Sequence, residues 1–380
     1  MSKKVGIITS YLDFNKNYGG VLQAYALSKM TALLGYEPYI MPYIYEHIPV
    51  NEKVDLPHKI YRKLRYLLNP HKGELNSQKQ FYGVMLDFVK RTLPMYSESR
   101  MTVCDMKNQT GDFYAYICGS DQVWSTKLQR DHCDPGMFLQ FVPAQTKKIA
   151  YAPSLGSTTS VSTDTAEEIR ESLLSFDAIS VRESKGQQLL ETVTGNKYPL
   201  VLDPTLILPM QEWNAISAVP LNLPEKYILV YRFGTIRSNF ENILRIQKHL
   251  NIPIIELPSS QVSLSDGLFK RYDIDAGGFI EIIKNATLVC TDSFHATVFS
   301  IINRTPFVSF CRQSPALENN MNGRLEDLLR LTGLEDRLVM PDCEVKLDIL
   351  FDVEFDSAHR AIEEQREPSV AFLRAALAAD

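Results

Sequence analysis

The fold of this 380-residue chain is decided near its start, by VGIIT at residues 5–9, NYGGVLQAYALSKMTALLG at residues 17–35 and YEPYIMP at residues 36–42. The first segment is a short apolar run typical of a buried strand, and the third is a second strand-like run. The middle segment begins with turn formers and then places one helical face on Leu22, Ala26, Met30 and Leu33. A strand, a glycine-rich turn, a helix and a strand predict the opening of a Rossmann-like parallel sheet.

Two series of strand-like runs extend this pattern along the chain. The first series lies at residues 113–118, 148–151, 178–181 and 199–202, and the second at residues 227–231, 253–257, 288–291 and 306–310. Helical patterns separate most of these runs, which is typical of parallel α/β sheets. Residues 51–100 are different, because they are polar, basic and helical in pattern. We therefore predict an α/β protein with two Rossmann-like domains and a helical insertion in the first.

The boundary between the domains is predicted near residue 210, where Pro209, Pro220 and Pro224 interrupt the pattern. The first domain then covers residues 1–208 and the second covers residues 209–345. Residues 346–380 form a C-terminal helical segment that can pack back on the first domain.

Composition excludes several classes of protein. The chain is 45% hydrophobic and carries a formal net charge of −5. The apolar fraction is far too high for a disordered chain. The mild acidity argues against a nucleic-acid partner, which requires a basic face to neutralise phosphates.

Cysteine usage and hydropathy predict a cytoplasmic protein. The six cysteines form no CxxC pair and have no histidine at zinc-finger spacing, so we expect them to be reduced. The N-terminal residues lack the apolar core of a secretory signal. No stretch approaches the roughly 20 apolar residues that span a bilayer.

Ligands of open parallel sheets bind at the carboxyl ends of the strands, and four polar segments of this chain lie there. The first contains Tyr18, Gly19 and Gly20 and opens the first helix. Free N–H groups and the positive dipole end of a helix suit a phosphate or carboxylate. The alternative is a glycine turn that only joins the strand to the helix.

The second and third segments carry charged residues directly after strands. Ser120 and Asp121 follow the run at residues 113–118, where Asp121 is either a helix N-cap or a base in the crevice. Arg182 follows the run at residues 178–181. An arginine there either grips an anion through two N–H groups or pairs with Glu183 at the surface.

The fourth segment, Thr291-Asp292-Ser293-Phe294-His295, lies between an apolar strand and an apolar helix. A histidine at a helix start on the crevice can act as a general acid or bind an anion. The alternative is a structural histidine.

Two further features complete the sequence pattern. No cluster of His, Asp and Glu has metal-ligand spacing, so no dedicated metal site is predicted. Residues 58–72 form a basic amphipathic pattern, which either contacts an anionic membrane or is a solvated helix that packs on the core.

Taken together, these motifs resemble the polysaccharide pyruvyl transferase family. The resembling segments stand in family order as GIITSYLDFNKNYGGVLQAYAL (6–27), ICGSDQVW (117–124), ISVRES (179–184), VLDPTL (201–206), VCTDSFHATVFSII (289–302) and NGRLEDLL (322–329). They span most of the chain, and the ordered set is more specific than any single motif.

The resemblance implies two Rossmann-like domains that face each other across a crevice, as in GT-B glycosyltransferases. It also implies transfer of a pyruvyl group from phosphoenolpyruvate to a sugar of a polysaccharide or lipid-linked glycan precursor, as in capsule and exopolysaccharide biosynthesis. The products would be a cyclic pyruvate ketal and phosphate. Phosphoenolpyruvate is the donor substrate, and no cofactor is implied.

The resemblance assigns His295 as the proton donor or phosphate ligand and Arg182 as the cation that grips the donor. The role of Asp121 as the base for a sugar hydroxyl is inferred from its place in the motif. The remaining residues expected to bind substrate are Tyr18, Gly19, Gly20, Ser120, Asp292 and Ser293.

One departure from the family concerns the donor site. Some family members have an arginine two residues before the histidine, where this chain has Ser293. A second cation must then come from elsewhere, and the candidates are Arg232, Arg312 and Arg324. The competing interpretations are a GT-B glycosyltransferase that uses a nucleotide sugar, and a binding regulator that kept the fold.

Overall fold

A parallel sheet of five described strands forms the N-terminal part of the computed structural model. The structure describes residues 3–11, 17–44, 72–129, 131–217, 222–257, 269–317 and 320–378. The strands are β1 (Lys4–Ile8), β2 (Glu37–Ile40), β3 (Ala115–Cys118), β4 (Lys147–Ala150) and β5 (Ala178–Ile179). Their order is β2-β1-β3-β4-β5, so the strand order reverses between β1 and β3. Such a reversal opens a crevice at the carboxyl ends of the strands.

A second parallel sheet forms the C-terminal part. Its described strands are β6 (Ile228–Tyr231), β7 (Ile254–Glu256), β8 (Phe269–Lys270), β9 (Leu288–Thr291), β10 (Phe307–Phe310) and β11 (Leu338–Val339). They stand in the order β11-β10-β9-β6-β7-β8, and the reversal lies between β6 and β9. This is the doubly wound order of a dinucleotide-binding sheet.

Helices connect and cover both sheets. Within the described residues they are α1 (Tyr18–Leu33), α2 (Lys72–Thr92), α3 (Val103–Lys107), α4 (Thr163–Leu173), α5 (Ser184–Thr194), α6 (Pro204–Ile207), α7 (Met210–Ile216), α8 (Arg237–Leu250), α9 (Ala276–Lys284), α10 (Phe294–Ile302), α11 (Gly323–Thr332) and α12 (Phe355–Ala378). The predicted α/β class with two Rossmann-like domains is confirmed by these two parallel sheets and the helices that cover them.

One predicted strand is wrong. Residues 199–202 make only an isolated bridge, between Val181 and Leu200. Pro199 has no N–H to donate, and Leu200 is 46% exposed, so the ladder does not extend beyond one pair. Conversely, β8 and β11 have two residues each and were not predicted, because so short a run carries no detectable period.

Helix α1 is buried on more than the single face that its sequence pattern predicts. Thirteen of its residues are buried, including the polar Gln23 and Thr31. The reason is that α1 packs against its own sheet and also against α9 and α10 of the second domain. One apolar cluster therefore runs through both domains, from Val5 of β1 to Val289 of β9.

The predicted helical insertion lies between β2 and β3. Residues 51–71 lie outside the described residues, and α2 is the described helix of this segment. Phe81, Met85 and Phe88 on α2 are buried in the cluster shared by both domains. Because β2 and β3 are parallel and belong to one sheet, the insertion is also the crossover that connects them.

The C-terminal helix α12 contacts both domains. Arg304, which follows α10, pairs with Asp356 in the first turn of α12. At the other end of α12, the Leu377 carbonyl accepts hydrogen bonds from the hydroxyls of Tyr36 and Tyr114, at 3.0 and 2.9 Å. The helix therefore runs from the second domain to the first.

Candidate active site

The two domains touch where Gly19 meets His295. A Cβ atom at Gly19 would lie 1.9 Å from Nδ1 of His295, so only glycine lets the start of α1 lie against the imidazole. At the next residue, a Cβ on Gly20 would lie 3.5 Å from Oδ2 of Asp121. The glycine pair therefore does more than join a strand to a helix, because it brings the helix start onto two candidate catalytic side chains.

Hydrogen bonds fix the start of α1 against the residues that directly follow β1. The Asn17 side chain caps α1 by accepting from the Gly19 N–H at 3.0 Å. Inside the helix, Gln23 Nε2 donates to Thr9 Oγ1 at 2.9 Å and to the Ser10 carbonyl at 2.7 Å. The first turn of α1, which contains the glycine pair, is thus held by its cap and by the bonds of Gln23.

Arg182 is buried and paired with Asp203. Its Nη1 donates to Asp203 Oδ2 at 2.5 Å and to Ser120 Oγ at 3.1 Å. Ser120 donates to the same carboxylate oxygen at 2.8 Å. Glu183 also lies near, with Oε2 3.6 Å from Arg182 Nε, but this carboxylate is buried and accepts from Ser154 and Leu155. The cation therefore lies in the crevice and does not form a surface pair.

The charge of Asp203 is set by its neighbours. Burial alone would raise the pKa of this carboxyl, but the positive charge of Arg182, with His295 and Thr205 beside it, holds the pKa well below its usual range. Thr205 donates to Oδ1 through both its N–H, at 3.0 Å, and its hydroxyl, at 2.6 Å. Asp203 is consequently a carboxylate at neutral pH and compensates the buried guanidinium.

His295 lies at the start of α10, where Ser293 is the N-cap and accepts from the Ala296 N–H. Its Nε2 is 3.7 Å from Asp203 Oδ1 and finds no hydrogen-bond partner among the described residues. The imidazole is therefore held between Gly19, which lies against Nδ1, and Asp203, whose carboxylate faces the buried Nε2.

Asp121 adopts a left-handed backbone conformation, with φ of 74°. Residues 122–129 form turns, so Asp121 does not cap a helix. Its Oδ1 accepts from the Gln122 N–H at 2.9 Å and lies 3.9 Å from Nη1 of Arg324. Asp121 thus faces a cation that the second domain contributes.

Arg324 and Arg312 are two of the three candidates for the positive charge that the motif lacks at Ser293. Burial, and after it the charge of Arg182, lower the pKa of Arg324 to about 10, which leaves it a cation at neutral pH. Arg312 donates to the Asp292 carbonyl at 3.1 Å, and its guanidinium lies 4.6 Å from the Phe233 ring centre. Both arginines line one small cleft. Its other lining residues are Asp292, Phe294, Met321, Asn322 and Leu325.

The third candidate cation, Arg232, is placed differently. Its guanidinium stacks on Phe240 of α8, 3.7 Å from the ring centre. Burial lowers the pKa of Arg232. The cleft lined by Arg312 and Arg324 does not include it among its lining residues.

Asp292 braces the loop after β6. Its two carboxylate oxygens accept from the N–H groups of Phe233, at 2.8 Å, and Gly234, at 2.7 Å. The bonds tie the end of β6 to the end of β9, at the switch point of the second sheet. The carboxylate is thus engaged by backbone, although Asp292 also lines the cleft.

Tyr18 packs in the aromatic core between the domains. Its ring stacks on Phe279 at 4.5 Å and meets Phe81 and Tyr231 edge-on. Burial raises the pKa of its hydroxyl well above the usual value. The Tyr18 side chain is therefore separated from the polar cluster that the neighbouring glycines reach.

The structure brings most of the predicted site residues to one place. The predicted residues that contact or face one another, or that meet at Asp203, are Gly19, Gly20, Ser120, Asp121, Arg182 and His295. The central residue that sequence reasoning missed is Asp203. The signal that could have found it is an acid directly after the apolar run at residues 199–202.

The structure is thus that of a two-domain α/β protein in which buried arginines, a histidine and carboxylates lie where the domains meet. The chain belongs to the polysaccharide pyruvyl transferase family, whose model matches residues 17–313. The resemblance drawn from the motifs is thereby confirmed. No curated protein matches the chain.

Solved structures with a similar arrangement include nucleotide-sugar enzymes. A UDP-GlcNAc 2-epimerase from Methanocaldococcus jannaschii, in complex with UDP-GlcNAc and UDP, is 11% identical with a TM-score of 0.46. The alignment covers 96% of this chain and 93% of that one. A UDP-glucosyltransferase from Polygonum tinctorium is 8% identical with a TM-score of 0.46, over 100% and 99% of the two chains. Likeness at this level does not indicate what the present chain binds.

Two further observations concern the described part of the chain. None of its helices combines the length and apolarity needed to cross a membrane. Nor does it contain a group of three or more His, Cys, Asp or Glu side chains that could hold a metal ion. The basic segment at residues 58–72 lies outside the described residues, apart from the backbone of Lys72, so its membrane contact stays a prediction.

Proposed function

We propose that this protein transfers a pyruvyl group from phosphoenolpyruvate to two hydroxyls of a sugar, giving a cyclic ketal and phosphate. One observation carries the proposal. Buried N–H groups of four arginines have no hydrogen-bond partner among the described residues: Nε and Nη2 of Arg182 and of Arg232, Nε of Arg312 and Nε of Arg324. All of these arginines except Arg232 belong to the candidate site. Buried unpaired donors are costly, and a ligand with several anionic oxygens would satisfy them. Phosphoenolpyruvate has a phosphate and a carboxylate.

His295 is the proposed acid of the first step. Protonation of the methylene carbon of phosphoenolpyruvate leaves a cationic centre at C2, which a sugar hydroxyl attacks as it gives up its proton. Asp121 is the proposed acceptor of that proton, because it faces the crevice 3.9 Å from the cation Arg324. The C2–O bond to phosphate then breaks, and a second hydroxyl closes the ring.

The arrangement of charges supports this sequence of events. The step that expels phosphate builds negative charge on the leaving oxygens, and fixed arginines stabilise such charge most strongly in a site from which water is excluded. Per turnover, one proton enters the methyl group, two leave the hydroxyls and one remains on phosphate. No external oxidant, reductant or further cofactor is required.

The proposed acceptor is a sugar of a polysaccharide or lipid-linked glycan precursor, at the cytoplasmic face of a membrane. Family membership supports a glycan acceptor. Contact with the membrane would use the basic segment at residues 58–72, which is also a proposal.

The test is release of phosphate from phosphoenolpyruvate in the presence of a panel of free and lipid-linked glycosides. We expect phosphate release together with a mass gain of one pyruvyl group on an acceptor. His295→Gln should abolish both, whereas His249→Gln should leave both unchanged, because His249 is exposed near the end of α8. Full turnover by His295→Gln would contradict the role given to this residue.

A thermal-shift measurement separates this reaction from nucleotide-sugar transfer. Phosphoenolpyruvate should stabilise the protein, because it binds the folded state only. Stabilisation by UDP-sugars but not by phosphoenolpyruvate would overturn the proposal in favour of a glycosyltransferase.

A further inference from the structure

Ser184 and Asp327 join the two domains beside the crevice. The Ser184 N–H donates to Asp327 Oδ2 at 2.8 Å. The Ser184 hydroxyl lies 2.9 and 2.8 Å from the two oxygens of the same carboxylate. The residues are separated by 143 positions in sequence. Each residue lies in one of the family-like segments, Ser184 in ISVRES and Asp327 in NGRLEDLL, but the proposed reaction gives neither residue a role.

Asp327 provides a helix cap from the opposite domain. Helix α5 begins at Ser184, and its N-cap residue Glu183 makes no side-chain capping bond. The first N–H groups of a helix need acceptors, and a carboxylate there also complements the helix dipole. Caps are normally local in sequence. Here the cap comes from α11, so the start of α5 is satisfied only while the domains are together.

At this point the backbone of Gly323 lies close to the side chain of Lys185. A Cβ atom on Gly323 would lie 3.0 Å from Cδ of Lys185. Lys185 Nζ also lies 3.8 Å from Glu326 Oε2, although both side chains are partly exposed. Exposed pairs of this kind contribute little, so the partly buried hydrogen bonds to Asp327, one of them from a backbone N–H, dominate the contact.

The cations of the site lie close to this contact in sequence. Arg182 lies two residues before Ser184, and Arg324 lies three residues before Asp327 on α11. The Ser184–Asp327 contact therefore sets how closely the two guanidinium groups approach. These groups repel each other, and the charge of Arg182 contributes, after burial, to lowering the pKa of Arg324 to about 10.

We propose that Ser184 and Asp327 form a latch that keeps the domains closed and so positions Arg182 and Arg324 as a two-sided clamp for a dianion. The latch opposes the repulsion between the two cations. Both residues of the latch are positioning residues, because neither is argued to touch the substrate. The inference rests on the proposed function in one respect, that phosphoenolpyruvate is the dianion.

Loss of such a latch should weaken the binding of phosphoenolpyruvate more than it slows turnover. A bound dianion attracts both guanidinium groups and can close the clamp itself. Without the latch, part of the binding free energy is used for closure, so the apparent affinity falls. Turnover at saturating phosphoenolpyruvate should fall much less, because the closed state is then restored.

The test compares Asp327→Ala with Glu326→Ala, a control from the same turn of α11. We expect Asp327→Ala to raise the KM for phosphoenolpyruvate about tenfold, which corresponds to about 1.4 kcal/mol. We expect kcat to change less than twofold, and Glu326→Ala to change neither constant by more than twofold. Ser184→Ala retains the backbone bond, so its effect on KM should be smaller than that of Asp327→Ala.

Small-angle X-ray scattering tests the latch without turnover. The Asp327→Ala protein alone should have a larger radius of gyration than the wild type, and saturating phosphoenolpyruvate or inorganic phosphate should reverse the difference. A wild-type radius together with a wild-type phosphate affinity in Asp327→Ala would overturn the latch. If the wild type does not turn over phosphoenolpyruvate, the proposed function fails, while the radius and phosphate affinity still decide the latch.

Discussion

Asp203 Oδ1 lies 3.7 Å from Nε2 of His295, so a carboxylate that pairs with Arg182 of the first domain also faces the histidine of the second. The side chain of Asp203 is completely buried. A buried charge is tolerated only with compensating partners. The two halves of the site are therefore linked electrostatically through one carboxylate.

Replacing Asp203 by Asn should destabilise the protein and remove activity. The change leaves the buried Arg182 without its main counter-charge, which costs about 3–5 kcal/mol in comparable buried pairs. Urea unfolding at pH 7 measures this loss. The control is Asp356→Asn, whose pair with Arg304 is exposed and should contribute little.

The same carboxylate should give a pH dependence of stability. The pKa of Asp203 is lower when folded than when unfolded, so the unfolded chain binds the proton first as pH falls. Its stabilising contribution is complete well above about pH 4, the usual aspartate pKa, and is lost progressively below it. The stability difference between wild type and Asp203→Asn should therefore shrink on acidification. A difference that grows as pH falls would contradict the charge assignment.

Gly19→Ala should disrupt the site where the domains touch. The added Cβ would lie 1.9 Å from the His295 ring, so the imidazole or the start of α1 must move. Overpacking of this kind typically costs about 1–3 kcal/mol, and turnover should fall with it. Gly83→Ala is the matched control, because no atom lies within 4 Å of its Cβ position in α2. That variant should be neutral or about 0.5–1 kcal/mol more stable.

Arg324→Lys should weaken donor binding while the fold is retained. Lysine keeps the charge but loses the planar fork that matches phosphate and carboxylate oxygens. A lost charge-assisted hydrogen bond of about 1.5–3 kcal/mol corresponds to a rise of about 10- to 100-fold in the KM for phosphoenolpyruvate. Arg237→Lys, at an exposed position in α8, should leave the KM unchanged.

Tyr18→Phe tests whether the tyrosine hydroxyl belongs to the site. The hydroxyl is buried and has no hydrogen-bond partner among the described residues. Its removal should leave the unfolding free energy unchanged or raise it by up to about 1 kcal/mol. Turnover should also be unchanged, because the ring packs on Phe279 away from the polar cluster. Loss of turnover with full stability would return Tyr18 to the substrate-binding residues.

The sequence by itself determined the fold class and the positions of most candidate residues. Hydrophobic periodicity is a local property, so β9 begins and ends at the residues that the pattern predicts. Polar segments after strands also located Gly19, Asp121, Arg182 and His295, because the carboxyl ends of parallel strands share one edge.

Only the tertiary structure decided which of these residues work together. Asp203 becomes central because Arg182, Ser120 and His295 converge on it from three separate segments. Likewise, only the tertiary structure shows that Arg312 and Arg324 line one cleft while Arg232 stacks on Phe240. Such contacts join residues far apart in sequence, and their strength comes from burial, which no local pattern of residues encodes.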